Sequence, residues 1–253
     1  MYAPERQQQI LRLAQERGRV DVPTLAEDFS VTQETIRRDL TALVQAGLLH
    51  RVHGGALPAG ALRLEPGLAE RDSTAAAEKE RIAKAALALL PTEGSVLLDA
   101  GTTVSRLAAQ LPVDSTLTVV TNALPVAARL ADHPSLSLHL IGGRLRHRTH
   151  AAVDSWALRD LADIHPDVAV VATNGFSVED GLTTPDLAEA AVKRAMLTGA
   201  RRVVLVADST KHGARHFARF GSLDQVDVLV TDTGLTDEQA AQIANLGPEV
   251  IRA

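Results

Sequence analysis

The chain contains no cysteine, which excludes disulfide staples and thiolate-held metal and fits a cytoplasmic location. No apolar run approaches the ~20 residues needed to cross a bilayer. The first residues also lack a signal-peptide pattern, so no membrane partner is expected. Net positive charge, the usual mark of a nucleic-acid binder, is missing as well: the formal balance is −5.

What is present belongs to a globular protein. Hydrophobic residues make up 45% and charged residues 23% of 253 positions, enough for one large domain or two ordinary ones with a sizeable core. Splitting the charge is informative. Up to residue 57, arginines at 6, 12, 17, 19, 37, 38 and 51 are matched in number by acids at 5, 16, 21, 27, 28, 34 and 39. The acidic surplus therefore lies further on, and the front segment is at most locally polarised.

Within that segment, Ile36, Leu40, Leu43 and Val44 recur at the spacing of one helix face. Thr32 stands where it would cap the first turn, and Glu34 where the helix dipole favours an anion. The opposite face carries Gln33, Glu34, Arg37, Arg38, Thr41 and Gln45, and Thr32 and Thr35 join Gln33, Glu34, Arg37 and Arg38 as candidate DNA contacts. Two adjacent arginines beside amides and hydroxyls suit the major groove, where arginine meets guanine or phosphate and glutamine meets adenine. Arg-Arg alone would equally suit a solvated surface helix, so the neighbours decide. Residues 5–17 and 22–29 predict two preceding helices, with Gly18 as the stop of the first. Residues 48–57 predict a hairpin with a glycine turn that brings Arg51, His50 and His53 towards phosphate. Helix, helix, recognition helix and wing, in that order, define a winged helix-turn-helix.

The run Thr32-Gln33-Glu34-Thr35-Ile36-Arg37-Arg38-Asp39-Leu40, followed by Leu48-Leu49-His50-Arg51-Val52-His53-Gly54-Gly55-Ala56, resembles the amino-terminal signature of DeoR-type bacterial transcriptional repressors across residues 5–57. On this reading residues 1–57 form the DNA-binding domain, residues 58–74 a linker and residues 75–253 an effector-sensing domain. Residues 68–90 are expected to be helical, and could pack on the second domain or carry part of a dimer contact.

From residue 95 onward apolar strands alternate with helices, which predicts an α/β domain with a mostly parallel sheet. The strands run into polar ends: Asp99-Ala100-Gly101-Thr102-Thr103, Thr121-Asn122, Gly142-Gly143-Arg144, Thr173-Asn174-Gly175, Asp208-Ser209-Thr210-Lys211 and Thr231-Asp232. That edge is where open α/β sheets bind ligands, although any loop of this kind favours caps and turn formers. Gly101, Thr102 and Thr103 offer backbone N–H groups, hydroxyls and a helix amino terminus, which suit a phosphate. Lys211 and Arg144 add positive charge, and Asp99, Asn122, Asp208 and Glu189 can bond sugar hydroxyls. Glu189 and Lys193, one helical turn apart, would by themselves be read as an exposed ion pair worth ~0.2–0.5 kcal/mol.

The second half extends the resemblance. Glu78-Lys79 with Ile82-Ala83, then Leu98-Asp99-Ala100-Gly101-Thr102-Thr103, Val120-Thr121-Asn122, Ile141-Gly142-Gly143, Gly181 to Asp186, Glu189 to Met196 and Ala207 to Lys211 are similar to the sensor domain of the same repressors. The resemblance implies a fold like that of ribose-5-phosphate isomerase-type enzymes and a phosphorylated sugar effector. The implied pocket comprises Asp99, Gly101, Thr102, Thr103, Thr121, Asn122, Gly142, Gly143, Gly175, Glu189, Lys193, Asp208 and Lys211. Many members have glycine where this chain has Asp154. Residues 149–157 with 172–177 look most like the fructose-operon branch, which makes fructose 1-phosphate the natural effector guess.

The resulting expectation is a repressor, a homodimer or homotetramer on double-stranded operator DNA, released by a phosphorylated sugar, with no cofactor. His147 and His150 have loose metal-ligand spacing without an acidic or cysteine partner nearby, so no metal is expected. Trp156 is read as core or interface packing. The competing class is a sugar-phosphate isomerase with an added DNA-binding module, in which Glu189 would act as base and Lys193 or Lys211 as donor. An activator in place of a repressor is a third possibility that no residue resolves.

Overall fold

The computed structural model describes residues 3–17, 20–52, 54–58 and 67–253. Gly18 and His53 lie outside the described residues, as do the side chains of His50 and Arg51. The chain divides into two compact units, Met1–Glu65 and Pro66–Ala253.

The first unit comprises α1 (Ala3–Arg17), β1 (Val20–Asp21), α2 (Val22–Asp28), α3 (Gln33–Gln45), β2 (Leu49–Val52) and β3 (Gly55–Pro58). Asp21 caps α2 by accepting from the Thr24 N–H at 3.0 Å, and Pro23 suits the first helical turn. Ser30 takes a left-handed φ of 52° in the turn between α2 and α3. Helix α3 starts at Thr32, whose hydroxyl accepts from the Thr35 N–H at 3.2 Å. It stops at Gly47 (φ 71°), where the Leu48 and Gly47 N–H groups return to the Leu43 and Val44 carbonyls at 2.9 Å, a Schellman closure. Ile10, Ala14, Leu25, Ile36, Leu40, Leu43 and Leu49 pack into one apolar cluster. β2 and β3 form the wing, and β3 also pairs with β1, a two-residue strand too short to show periodicity.

The second unit opens with α4 (Leu68–Ser73) and α5 (Ala76–Leu87). A continuous helix over residues 68–90 is therefore not formed. The break falls at Thr74 and at Ala75, which is left-handed at φ 50°, ψ 42°. Alternation follows with β4 (Ser95–Leu98), α6 (Thr102–Ala109), β5 (Thr118–Thr121), α7 (Leu124–Leu130), β6 (Ser137–Leu140), β7 (Arg144–Arg146), β8 (Ala151–Val153), α8 (Asp154–Ala162), β9 (Val168–Ala172), β10 (Gly175–Ser177) and β11 (Gly181–Thr184). It ends with α9 (Leu187–Gly199), β12 (Arg202–Val206), β13 (Ala218–Gly221), β14 (Val228–Thr231), α10 (Asp237–Ala244) and β15 (Glu249–Arg252).

Seven of these strands form one wholly parallel sheet, ordered β15-β14-β12-β9-β4-β5-β6. β9 is buried along its whole length and paired on both sides, which explains its uninterrupted apolar run. The chain proceeds from β4 outward through β5 and β6, then returns to β9 and builds the other half. β4 and β9 thus flank the switch point, and their carboxyl ends open a crevice. The short antiparallel pieces, β7–β8 and β10–β11–β13, lie beyond the alternating pattern. On α8 the buried positions are Ala157 and Leu161. Trp156, one position out of that stripe, is 65% exposed, so of the two expectations, core or interface packing, the core one is corrected.

Candidate effector cleft and DNA-reading face

On α3, Ile36, Asp39, Leu40 and Leu43 face inward, leaving Thr32, Gln33, Glu34, Arg37 and Arg38 exposed and Thr35 half-buried. Arg37 donates to the Gln33 amide oxygen at 3.2 Å and lies 3.6 Å from Glu34, while Arg38 lies 3.8 Å from Glu34. These exposed pairs are weak, so both guanidiniums can leave them for a phosphate or a guanine edge at little cost. Asp39, within the same motif, has another job. Its carboxylate accepts from the Arg6 guanidinium at 2.6 Å and the Gln7 amide at 3.0 Å, tying α1 to α3 beneath the reading face.

At the switch point, Gly101 adopts φ 156°, and a Cβ there would come within 3.2 Å of the Ala172 methyl. This residue lets the chain turn from β4 into α6 against the end of β9. The first intrahelical bond of α6 runs from Ser105 N–H to Gly101 C=O, so the N–H groups of Thr102 to Val104 have no partner inside the helix. Among the described residues the Thr102 and Thr103 hydroxyls likewise have no hydrogen-bond partner. Around this amino terminus gather Arg71, Lys79, Thr173, Asp208 and Lys211, enclosing a cleft of about 20 Å³. Asp208 accepts from the Thr210 hydroxyl. Asp232 fixes the turn that carries Lys211, accepting from the Ser209 N–H at 2.6 Å, its hydroxyl at 2.8 Å and the Gly234 N–H at 2.9 Å. Burial of Asp232 opposes ionisation, but those donors outweigh it and hold its carboxyl below the usual range.

Lys79 and Arg71 were not among the residues expected at the site. Lys79 is 3% exposed, and burial pulls its ammonium down to about 8, with Asp208 opposing and Lys211 and Arg71 adding to the fall. Its signal was present in the sequence: it shares the buried stripe of α5 with Ile82, Ala83 and Ala86, and a lysine in such a stripe needs a partner.

The other expected residues are distributed differently. Asp99 and Lys193 form a buried ion pair. The Asp99 carboxylate also accepts from the Ala172 N–H at 3.0 Å, and Lys193 donates to the Ala172 carbonyl at 2.9 Å. Glu189, also buried, takes the Thr149 hydroxyl, the Thr184 hydroxyl at 3.3 Å and Arg146 at 3.3 Å. An exposed Glu189–Lys193 pair is therefore not formed. Thr121 donates to the Leu98 carbonyl at 2.7 Å and accepts from the Ala123 N–H, a tie between strand ends. The Asn122 amide donates to Ala152 C=O at 3.1 Å, while its oxygen is buried without a partner.

Gly175 is required by packing, since a Cβ would stand 2.0 Å from the Ala214 carbonyl. Gly143 is held against Val153, whose carbonyl lies 2.6 Å from where a Cβ would be; Gly142 has open space. Arg144 is exposed and 2.5 Å from Asp154, lining a separate hollow of about 370 Å³ with Trp156. Asp154 has φ 75°, so it holds the left-handed conformation that glycine adopts freely. A further hollow, of about 360 Å³ between Thr118, His139 and Ile164, is roomier than the cleft but lacks its set of cations.

A DNA-reading helix with a wing, joined in one chain to a parallel α/β unit with a polar switch-point cleft, defines a ligand-sensing transcription regulator. Residues 6–59 match the DeoR-like helix-turn-helix domain and residues 74–233 the DeoR C terminal sensor domain. The chain belongs to the DeoR family of transcriptional regulators. It is 35% identical over 251 residues to the HTH-type transcriptional regulator GlpR of Haloferax volcanii, covering 99% of this chain and 98% of that one. It is 34% identical over 233 residues to the glycerol-3-phosphate regulon repressor of Escherichia coli, covering 92% of each. Among solved structures, ribose 5-phosphate isomerase A from Methanocaldococcus jannaschii aligns with a TM-score of 0.40 at 13% identity, over 55% of each chain. Among the described residues no helix is long and apolar enough to cross a membrane.

Proposed function

We propose that this chain is an operator-binding repressor, released from DNA when a phosphorylated sugar or polyol occupies the cleft at the amino terminus of α6. The observation that carries this reading is the charge of the cleft: Arg71, Lys79 and Lys211 surround a single carboxylate, Asp208, beside the amino terminus of α6, whose first N–H groups have no partner inside the helix. Such a set favours a dianion over a neutral sugar. The DNA contacts are assigned to Thr32, Gln33, Glu34, Thr35, Arg37 and Arg38 on α3, with Arg51 and His53 on the wing. Balanced charge in the first unit makes each protomer a modest binder, so a homodimer or homotetramer on repeated half-sites is part of the proposal. The engagement of Glu189 by Thr149, Thr184 and Arg146 leaves that carboxylate poorly placed as an isomerase base, which supports a sensor.

The test is a thermal-shift series with fructose 1-phosphate, glycerol 3-phosphate and ribose 5-phosphate, followed by a mobility-shift assay on the DNA upstream of its own gene. An effector at a hundred times its Kd stabilises the fold by about 2.7 kcal/mol, and should free the DNA while being recovered chemically unchanged. Turnover of the sugar, or indifference to that DNA at low salt, rejects the proposal.

A further inference from the structure

β6 is an edge strand without an edge's usual protection. Among the described residues it pairs with β5 alone. The Ser137 and Ile141 N–H groups bond the Leu117 and Thr121 carbonyls at 3.1 and 2.8 Å. By the alternation of a strand, Leu138 and Leu140 therefore turn their N–H and C=O groups away from the sheet. Such a row is a template for another strand, and proteins blunt it with charge, proline or a cover. Ser137-Leu138-His139-Leu140 has no lysine, arginine, carboxylate or proline, and Leu140 is 52% exposed. The opposite edge differs. β15 begins at Glu249 and ends at Arg252, whose guanidinium is tied to Asp237 and, at 2.9 Å, to the Leu235 carbonyl.

One face of the sheet is open at the same corner. Ser95, Thr118, Val120 and His139 share a face of β4, β5 and β6 by their register, and they line the hollow of about 360 Å³. A parallel sheet is ordinarily covered on both faces. Here Asp160 of α8 and Ile164 after it also line the hollow but do not fill it.

We propose that a second copy of this chain covers this corner, its β6 pairing antiparallel with β6 about a two-fold axis at His139. Half a turn about that axis sets Leu138 opposite Leu140 of the second copy, so each outward N–H of one strand meets an outward C=O of the other. An isologous contact also brings each group near its own duplicate, where a charged strand would repel itself; β6 carries no formal charge with its histidine neutral. The two seven-stranded sheets become one, and because His139 lines the hollow, the two open faces adjoin across the axis. This inference rests on the homo-oligomer proposed above, of which it names the surface, and not on the effector cleft.

The absence of cysteine supplies the test, because a single introduced thiol can form a disulfide only with another copy. Residues opposed at a non-hydrogen-bonded antiparallel position stand about 4.5 Å apart at Cα, within the range of about 4.4–6.8 Å that a disulfide spans. His139→Cys in the full chain should run as a covalent dimer after mild oxidation, and Glu249→Cys on β15 should stay a single chain. Leu140→Pro removes an outward N–H and leaves the bonds to β5 intact. It should fold, with wild-type circular dichroism, and sediment at half the wild-type mass. A folded Leu140→Pro of unchanged mass, or no more cross-link at 139 than at 249, overturns the β6 contact while the homo-oligomer stands. A wild type that sediments as a single chain at the concentration where it binds operator DNA overturns both, and leaves the effector reading to its own thermal-shift series. Should Leu140→Pro not fold, the two cysteine variants decide.

Discussion

Lys193 donates to the carboxylate of Asp99, 94 positions away in sequence, and not to Glu189 one helical turn before it. The contact joins α9 to the end of β4 at the switch point and leaves neither charge exposed, with side chains 6% and 2% accessible.

Removing one partner of that pair strands the other in a desolvated site. Lys193→Met should lower the stability of the sensor unit by about 3–5 kcal/mol, and the double variant Asp99→Asn/Lys193→Met should recover much of the loss. Urea denaturation of the wild type, Lys193→Met, Asp99→Asn and the double variant checks this. A double variant as unstable as the sum of its singles would show the two residues to be uncoupled.

Arg37→Ala and Arg38→Ala should each weaken operator binding by about 1–3 kcal/mol, read by fluorescence anisotropy on a labelled duplex. The thermal shift caused by a bound sugar phosphate should be unchanged in both, because the two residues lie in the first unit. Full operator affinity in both variants removes α3 as the reading helix.

Asp154 holds a left-handed backbone that costs a residue with a Cβ about 1–2 kcal/mol. Its ion pair with Arg144 is 59% and 44% exposed and offsets little of that. Asp154→Gly should therefore melt higher than the wild type and Asp154→Ala lower, since alanine lacks both glycine's freedom and the local bonding of aspartate. Calorimetry that ranks alanine above glycine would contradict the strain.

The lowered Lys79 value gives a pH dependence with a definite sign. Between about 8 and 10.5 the folded chain holds fewer protons at this residue than the unfolded one, so its contribution to stability rises with pH across that window and is least favourable below 8. Effector binding runs the other way. A phosphate dianion raises the Lys79 pKa, so binding takes up a proton, and affinity should fall by up to about tenfold per pH unit above 8. Titration calorimetry in buffers of different ionisation enthalpy reads that uptake directly, and affinity flat from pH 7 to 9.5 would separate Lys79 from the ligand.

Much of this architecture was legible in the residues. The Thr32 cap, the α3 stripe and six of the seven parallel strands announce themselves through periodicity and turn chemistry. β15 did not, because an edge strand with the pattern Glu249-Val250-Ile251-Arg252 has too few buried positions to stand out. The fate of charged residues was legible only in part. Nothing local says that Asp39 turns inward to meet Arg6, or that Lys193 chooses Asp99, because those partners are brought together by long-range packing. Trp156 shows the same limit from the apolar side: helical spacing groups residues on a face but does not say which face finds a core.

The two apolar clusters, one built around Ile36 and Leu40 and the other around the parallel sheet, have no residue in common. Each half therefore carries an apolar core of its own. A chimaera that keeps residues 66–253 and borrows its front from a relative should keep the core of the sheet and answer the same metabolite at a foreign promoter.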